Sequence, residues 1–131
     1  MDLPPLANDV LDFWFGPPPL ARREAWFRKD AAFDATIRAR FAAAIAAARA
    51  GANGDWCTTP HGALARILLL DQFTRNAFRG TPRAFAGDAQ ALAGATAMIG
   101  SRQDEGLHPF MRAFVYMPFE HAEGLGQQDE A

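Results

Sequence analysis

The sequence predicts an all-α domain, and two observations carry this expectation. Apolar residues recur at the helical spacing of three and four positions along almost the whole chain. No run alternates or clusters as β-branched strands do between turn residues. Glycine, proline and capping residues divide the pattern into roughly seven short helices, and the short connectors between them favour stacked antiparallel hairpins.

Size, composition and charge narrow the class of protein. The chain has 131 residues, half of them apolar and about a fifth charged, which predicts a single globular domain over residues 1–131. A net charge of −2 argues against a nucleic-acid partner, since such proteins usually carry an excess of basic residues. The N-terminus has no leader pattern, and the longest apolar run, 67–70, is far too short to cross a bilayer. We therefore expect a cytoplasmic protein without a membrane partner.

The first half of the chain is predicted to hold three helices. The first runs from about Asn8 to Phe15, where Gly16 and three prolines end it. A second, short helix carries Trp26 and Phe27. Asp30 is predicted to cap the long third helix, which Gly51 and Gly54 end. The expected buried stripes of the first and third helices are Val10, Leu11, Trp14 and Phe15, and Phe33, Ile37, Phe41 and Ile45.

The second half is predicted to begin each helix at a capping residue or a proline. Thr59-Pro60 and Thr81-Pro82 each combine a capping residue with proline at the first helical position. Asp88 is expected to start a helix that ends at Gly100, and His108-Pro109 starts the last one. Pro118 is expected to break or kink that last helix. The aromatic set of Trp14, Phe15, Trp26, Phe27 and Trp56 is predicted to be core rather than a stacking surface.

The most unusual feature is a polar patch, Asp71 to Asn76, that follows three consecutive leucines. Leu64, Ile67, Leu68, Asp71 and Arg75 fall at helical spacing, so the two charged residues continue the face that the apolar residues bury. A buried ion pair is expensive to desolvate, so its presence on an apolar stripe requires an explanation. One interpretation is structural, with Asp71 and Arg75 tying this helix to a neighbour. The other is functional, with both lining a small polar pocket beside Gln72.

A second polar group surrounds the proline of the last predicted helix. Arg112 precedes Pro118, and Glu120, His121 and Glu123 follow it. A carboxylate beside a histidine raises its basicity and orients its ring, as general acid–base chemistry requires. Adjacent residues of a helix point in different directions, so only Glu120 or Glu123 is expected to contact His121. A structural histidine is the favoured interpretation.

Motifs of the common enzyme classes are absent from the sequence. Glycine-rich nucleotide-binding loops, the nucleophile elbow and the H-E-x-x-H zinc motif do not occur. Cys57 and His61 are four residues apart, but no second pair completes a zinc pattern. The sequence therefore predicts neither a metal site nor a cofactor, and it leans against an enzyme without excluding one.

Four stretches resemble the DUF924 family of bacterial domains of unknown function. They are 10–16 (VLDFWFG), 26–34 (WFRKDAAFD), 68–82 (LLLDQFTRNAFRGTP) and 116–123 (YMPFEHAE). The resemblance implies an all-helical fold related to tetratricopeptide-repeat proteins, and it carries no established activity.

Two departures from the family pattern lead to further expectations. Members usually have serine where this chain has Ala122, which weakens a role for a hydroxyl beside His121. Members also continue past the position of Gln128, so this version is expected to be shortened at its C-terminus. If the absent helices normally cover Phe110, Phe114 and Met117, this face requires another cover, and we expect a homodimer.

Two hypotheses for the function remain open at this point. One is a helical interaction module that binds an unidentified protein or peptide partner. The alternative is a protein, or a minor enzyme, that binds a small anionic ligand. The candidate residues, for either a ligand or a structural network, are Asp71, Gln72, Arg75, Asn76, Arg79, Arg112, Glu120, His121 and Glu123.

Overall fold

The computed structural model describes residues 3–130 and places the side chains of residues 3–123. This part of the chain is mainly helical and has no strand, which confirms the all-α fold class. Its helices are α1 (Pro5–Phe15), α2 (Ala31–Arg49), α3 (Pro60–Leu68), α4 (Thr74–Ala77), α5 (Asp88–Gly100) and α6 (Pro109–Glu130). A π-helical segment, Leu69–Phe73, joins α3 to α4. Within the described residues, no helix combines the length and apolar character needed to cross a membrane.

The helix α1 begins three residues earlier than the sequence predicts. Pro5 takes the first helical position, where the N–H that proline lacks would have no partner within the helix. The predicted end at Phe15 is confirmed, and Gly16 follows with φ of 75°, a conformation that favours glycine. All four residues of the predicted stripe are buried, namely Val10, Leu11, Trp14 and Phe15.

Two predicted helices are instead single 3₁₀ turns, Glu24–Trp26 and Pro82–Phe85. The difference at the second turn comes from the preceding threonine. Thr59 accepts a hydrogen bond from the Gly62 N–H and caps α3, as predicted. The Thr81 hydroxyl instead donates to the carbonyl of Phe78, so its side chain caps no helix.

The helix α2 follows its sequence prediction closely. The Asp30 carboxylate accepts hydrogen bonds from the N–H groups of Ala32 and Phe33 and caps it. The hydrogen bond from Phe33 is the main reason that the pKa of Asp30 is lowered. Ile37, Phe41 and Ile45 are buried, and Phe33 is partly buried.

The helix α6 continues through Pro118, so a break at this residue is wrong, while the alternative of a kink stays a prediction. Proline lacks the N–H that would bond the carbonyl four residues earlier, which removes one hydrogen bond of the helix. Pro118 is itself buried, and α6 packs against α3 and α5. This packing offsets the lost hydrogen bond and keeps the helix continuous.

The face of α6 that motivated the expected homodimer is largely covered within the chain. Phe114 is buried, with its ring centroid 5.5 Å from Trp14 and 5.2 Å from Trp26. Phe110 and Met117 are partly buried. Because α1 and the 3₁₀ turn at Trp26 supply this cover, the observation that suggested a homodimer does not hold, and the homodimer itself stays a prediction.

The π-helical segment places Asp71 on the inside of the fold and leaves Gln72 partly exposed. The wider turn buries the consecutive residues Leu69, Leu70 and Asp71, which a regular helix would spread around its circumference. The Thr74 hydroxyl donates a 2.7 Å hydrogen bond to the Leu69 carbonyl. Gly87 approaches so closely that a Cβ atom there would collide with the carbonyl of Leu70.

Candidate functional site

Asp71 is the centre of a buried polar network. Its side chain is 1% exposed. Oδ1 lies 2.8 Å from Nδ1 of His121 and 3.6 Å from Nε of Arg75, while Oδ2 accepts a 3.1 Å hydrogen bond from Gln72. The two polar groups of the sequence, 71–76 and 116–123, therefore meet at this carboxylate.

The bond to Asp71 determines the orientation of the His121 ring. Nδ1 of the ring faces Oδ1 of Asp71 at hydrogen-bond distance, so Nδ1 is the ring nitrogen that this contact uses. The ring is partly exposed, and no described residue forms a hydrogen bond with Nε2. The expectation that Glu120 or Glu123 contacts His121 is wrong: both are exposed, and neither pairs with it. The hydrogen-bond partner of His121 is instead Asp71, fifty positions away. The two residues meet because α6 packs against α3, and Asp71 lies in the π-helical segment that follows α3.

Arg75 has its shortest contact with Asp88, a residue that the sequence identified only as a helix start. Nη2 of Arg75 lies 2.7 Å from Oδ2 of Asp88, against 3.6 Å between its Nε and Asp71. Arg75 Nε and Asp88 Oδ1 are both buried without a hydrogen-bond partner. Burial raises the pKa of Asp88, an effect that the charge of Arg75 opposes and the charge of Asp71 reinforces.

The raised pKa of Asp88 predicts how stability depends on pH. Its folded-state pKa lies above its unfolded value, so Asp88 contributes stability that is present below the unfolded pKa and is lost as pH rises through the folded pKa. We expect Asp88→Asn, which cannot ionise, to gain stability relative to the wild type as the pH rises from about 3, below the unfolded pKa, toward neutrality. Urea unfolding of both proteins across this range measures the difference, and a difference independent of pH would contradict the prediction.

Asn76 and Arg79 use their side chains to hold α2. Asn76 donates a 3.0 Å hydrogen bond to Oδ1 of Asp34, and Nε of Arg79 donates a 2.7 Å bond to its Oδ2. A second Arg79 nitrogen lies 3.4 Å from Oδ1, so the guanidinium contacts both carboxylate oxygens. Asp34 is therefore a structural partner of the polar patch.

Arg112 does not join the network around His121. It donates a 2.9 Å hydrogen bond to the hydroxyl of Tyr116 and lies 3.5 Å from Asp104. The Tyr116 hydroxyl donates a 2.8 Å bond to the same carboxylate oxygen. These contacts tie α6 to the turn at Gln103–Gly106. The candidate residues of the sequence therefore divide between three groups, around Asp71, Asp34 and Asp104, and no described hydrogen bond or ion pair includes Glu120 or Glu123.

A cleft of about 430 Å³ opens beside the Asp71 network. It is bounded by the loop before α2 on one side, and by the π-helical segment, α4 and the turn at Pro82–Phe85 on the other. Its side chains comprise four cations, two carboxamides and three aromatic rings: Arg28, Lys29, Arg75, Arg79, Gln72, Asn76, Trp26, Phe27 and Phe85. Among the described residues, no carboxylate lines it.

Carboxylates instead hold Arg75 and Arg79, two of the three arginines of the cleft, from outside its lining. Asp88 pairs with Arg75 and Asp34 with Arg79, and neither acid lines the cleft. Lys29 forms no ion pair with any described residue, and Arg28 lies 3.6 Å from the rim carboxylates of Glu24 and Asp30. The cleft therefore presents positioned guanidinium groups together with a lysine available to a ligand.

The sequence missed part of this site. Asp34 and Asp88 carry no local signal, because their partners are 42 to 45 and 13 positions away. One of the stretches that resemble the family contains Phe27, Arg28 and Lys29. Its residues give no local indication that they lie opposite residues 72–79 in the fold. The predicted aromatic core is confirmed for Trp14, Phe15 and Trp56, which are buried, whereas Phe27 is 60% exposed.

The chain is similar to known proteins in sequence and in fold. A family model described as "Bacterial protein of unknown function (DUF924)" matches residues 10–131, which include the whole network and the whole cleft. The solved structure of a protein of unknown function from Agrobacterium tumefaciens has a TM-score of 0.82 and 40% sequence identity. That similarity covers 95% of this chain and 69% of the other. A comparison with curated proteins gave no match.

Proposed function

Since the chain belongs to the DUF924 family, whose description assigns no activity, we propose its function from the cleft: the protein binds a small anionic ligand there. The observation that carries this proposal is the convergence of four cationic side chains on one cleft in a protein of net charge −2. Carboxylates outside the lining pair with the three arginines, which leaves Lys29 as the cation of the cleft that pairs with no described carboxylate. A bound anion would supply a counter-charge to Lys29 and accept further hydrogen bonds from the arginines.

The donors of the cleft are suited to phosphate or carboxylate groups. Arg75 and Arg79 are oriented by their ion pairs, so less side-chain freedom is lost when a ligand binds. Gln72 and Asn76 add carboxamide groups, and Lys29 adds an ammonium group that can donate three hydrogen bonds. A volume of about 430 Å³ lies within the range of small-molecule sites.

Titration of the full chain with inorganic pyrophosphate at low ionic strength tests the proposal. We expect calorimetry to detect one site, and Lys29→Gln to weaken binding about tenfold, because one charge-assisted hydrogen bond is lost. Arg102→Gln is the matched control, since it removes an exposed cation that pairs with Glu105 outside the cleft. The absence of binding, or an equal loss in the control, would overturn the proposal.

The other hypothesis of the sequence, a helical interaction module, stays a prediction. It rests on the fold class alone, and a fold does not specify a function.

A further inference from the structure

We propose that the ligand of the cleft carries both an aromatic ring and a phosphate group, and that this ring stacks on Phe27 and Phe85. This inference rests on the proposed anion site and adds the class of molecule that the site takes. Its basis is the placement of exposed aromatic side chains next to the cationic ones.

Exposed apolar side chains of large size are concentrated at the cleft. Among the described residues, three such side chains are exposed: Phe27 at 60%, Phe85 at 50% and Ile99 at 39%. Both phenylalanines line the cleft, one in the loop before α2 and one in the turn at Pro82–Phe85, whereas Ile99 lies on α5 outside it. Aromatic rings that remain exposed at a concave polar site are a mark of ligand binding.

Each of the two rings lies beside an arginine. The guanidinium carbon of Arg22 is 4.6 Å from the ring centroid of Phe27, and that of Arg75 is 5.0 Å from the centroid of Phe85. Phe27 also contacts the ring of Trp26 edge-on, at 6.1 Å and 72°, which limits its freedom. These contacts set the positions of both rings before any ligand arrives.

The spacing of ring and charge specifies a ligand with both features. Arg75 lies against Phe85 and also lines the cleft, so a ligand that pairs with this guanidinium can reach the ring at the same time. An inorganic anion would leave the aromatic side chains of the cleft without a contact, and an uncharged ring would leave Lys29 without a counter-charge. Phosphate suits the site because its oxygens can accept charge-assisted hydrogen bonds from Lys29 and from an arginine of the cleft at the same time. A phenolic phosphate ester and a nucleoside monophosphate share this chemistry.

Three probes separate the contributions of the ring and the phosphate. Methyl phosphate supplies the charge without a ring, 1-naphthyl phosphate adds a ring bonded to the phosphate, and adenosine monophosphate carries its ring on a ribose. We expect at least one aromatic probe to bind the full chain about tenfold or more tighter than methyl phosphate, as stacking on an aromatic side chain provides. Which aromatic probe binds tighter identifies the source of the ring.

Variants of Phe85 test whether the aromatic ring of the ligand stacks on this side chain. Phe85→Leu should weaken the aromatic probe about five- to tenfold and leave methyl phosphate unchanged, while Phe85→Tyr should retain the tight binding. Ile99→Ala is the control, because it truncates an exposed apolar side chain outside the cleft. Thermal unfolding of each variant confirms that it is folded.

The outcomes distinguish this inference from the proposal on which it rests. If pyrophosphate binds and neither aromatic probe exceeds methyl phosphate, the aromatic class is wrong and the anion site stands. If neither pyrophosphate nor any phosphate probe binds, both proposals fail. Equal losses in Phe85→Leu and Ile99→Ala would also overturn the stacking.

Discussion

Replacing Asp71 by alanine is expected to destabilise the protein by about 3 kcal/mol, because removal of one partner from a buried charge network leaves the others uncompensated. The carboxylate accepts hydrogen bonds from Gln72 and His121 and faces the buried Nε of Arg75. The side chains of Arg75 and His121 are partly exposed, so water can replace some of the hydrogen bonds that Asp71 provides. The expected loss of stability therefore lies at the lower end of the range for breaking a buried ion pair. Urea unfolding at pH 7 measures the change.

Two further variants make the result specific to the network. Asp71→Asn should lose less stability, since the amide oxygen still accepts one hydrogen bond. Asp9→Ala, a truncated exposed carboxylate of α1, should change stability by less than about 0.5 kcal/mol. A double-mutant cycle with His121→Ala should show coupling of roughly 1 kcal/mol or more. If Asp71→Ala is as stable as the wild type or more so, the prediction that this network stabilises the fold is wrong.

The second large effect is expected at Gly87, the residue before α5. Gly87→Ala should destabilise the protein by about 3 kcal/mol, because a Cβ atom there collides with the Leu70 carbonyl in the π-helical segment. The φ of Gly87 is −92°, which alanine adopts readily, so the expected loss is steric and not a matter of backbone conformation.

The same substitution reports on the position of the ion pair beside it. Asp88 follows Gly87, so a shift of this segment moves Asp88 relative to Arg75. Gly106→Ala is the matched control, because a Cβ atom there meets no atom within 4 Å. Thermal unfolding of the two variants and the wild type gives the comparison. A Gly87→Ala protein with the stability of the control would contradict the close approach of α5 to the π-helical segment.

Local spacing identifies only part of the candidate site. Asp71 and Arg75 follow from it, since they continue a face that neighbouring leucines bury. His121 could be named as a candidate, but its partner could not, because Asp71 is fifty positions away. Glu120 and Glu123 lie next to His121 in the sequence, which is why a contact with it is expected. The packing of α6 leaves both side chains exposed to solvent instead.

By itself the sequence determined the helical class, the caps at Asp30 and Thr59 and the buried stripe of α1. Each of these depends on residues within about four positions, where helix geometry relates spacing directly to contact. Only the tertiary structure decided the pairing of Asp71 with His121 and Arg75 with Asp88, the continuity of α6 through Pro118, and the cleft. These features depend on how separate helices pack, and no local pattern of residues encodes which distant groups then meet.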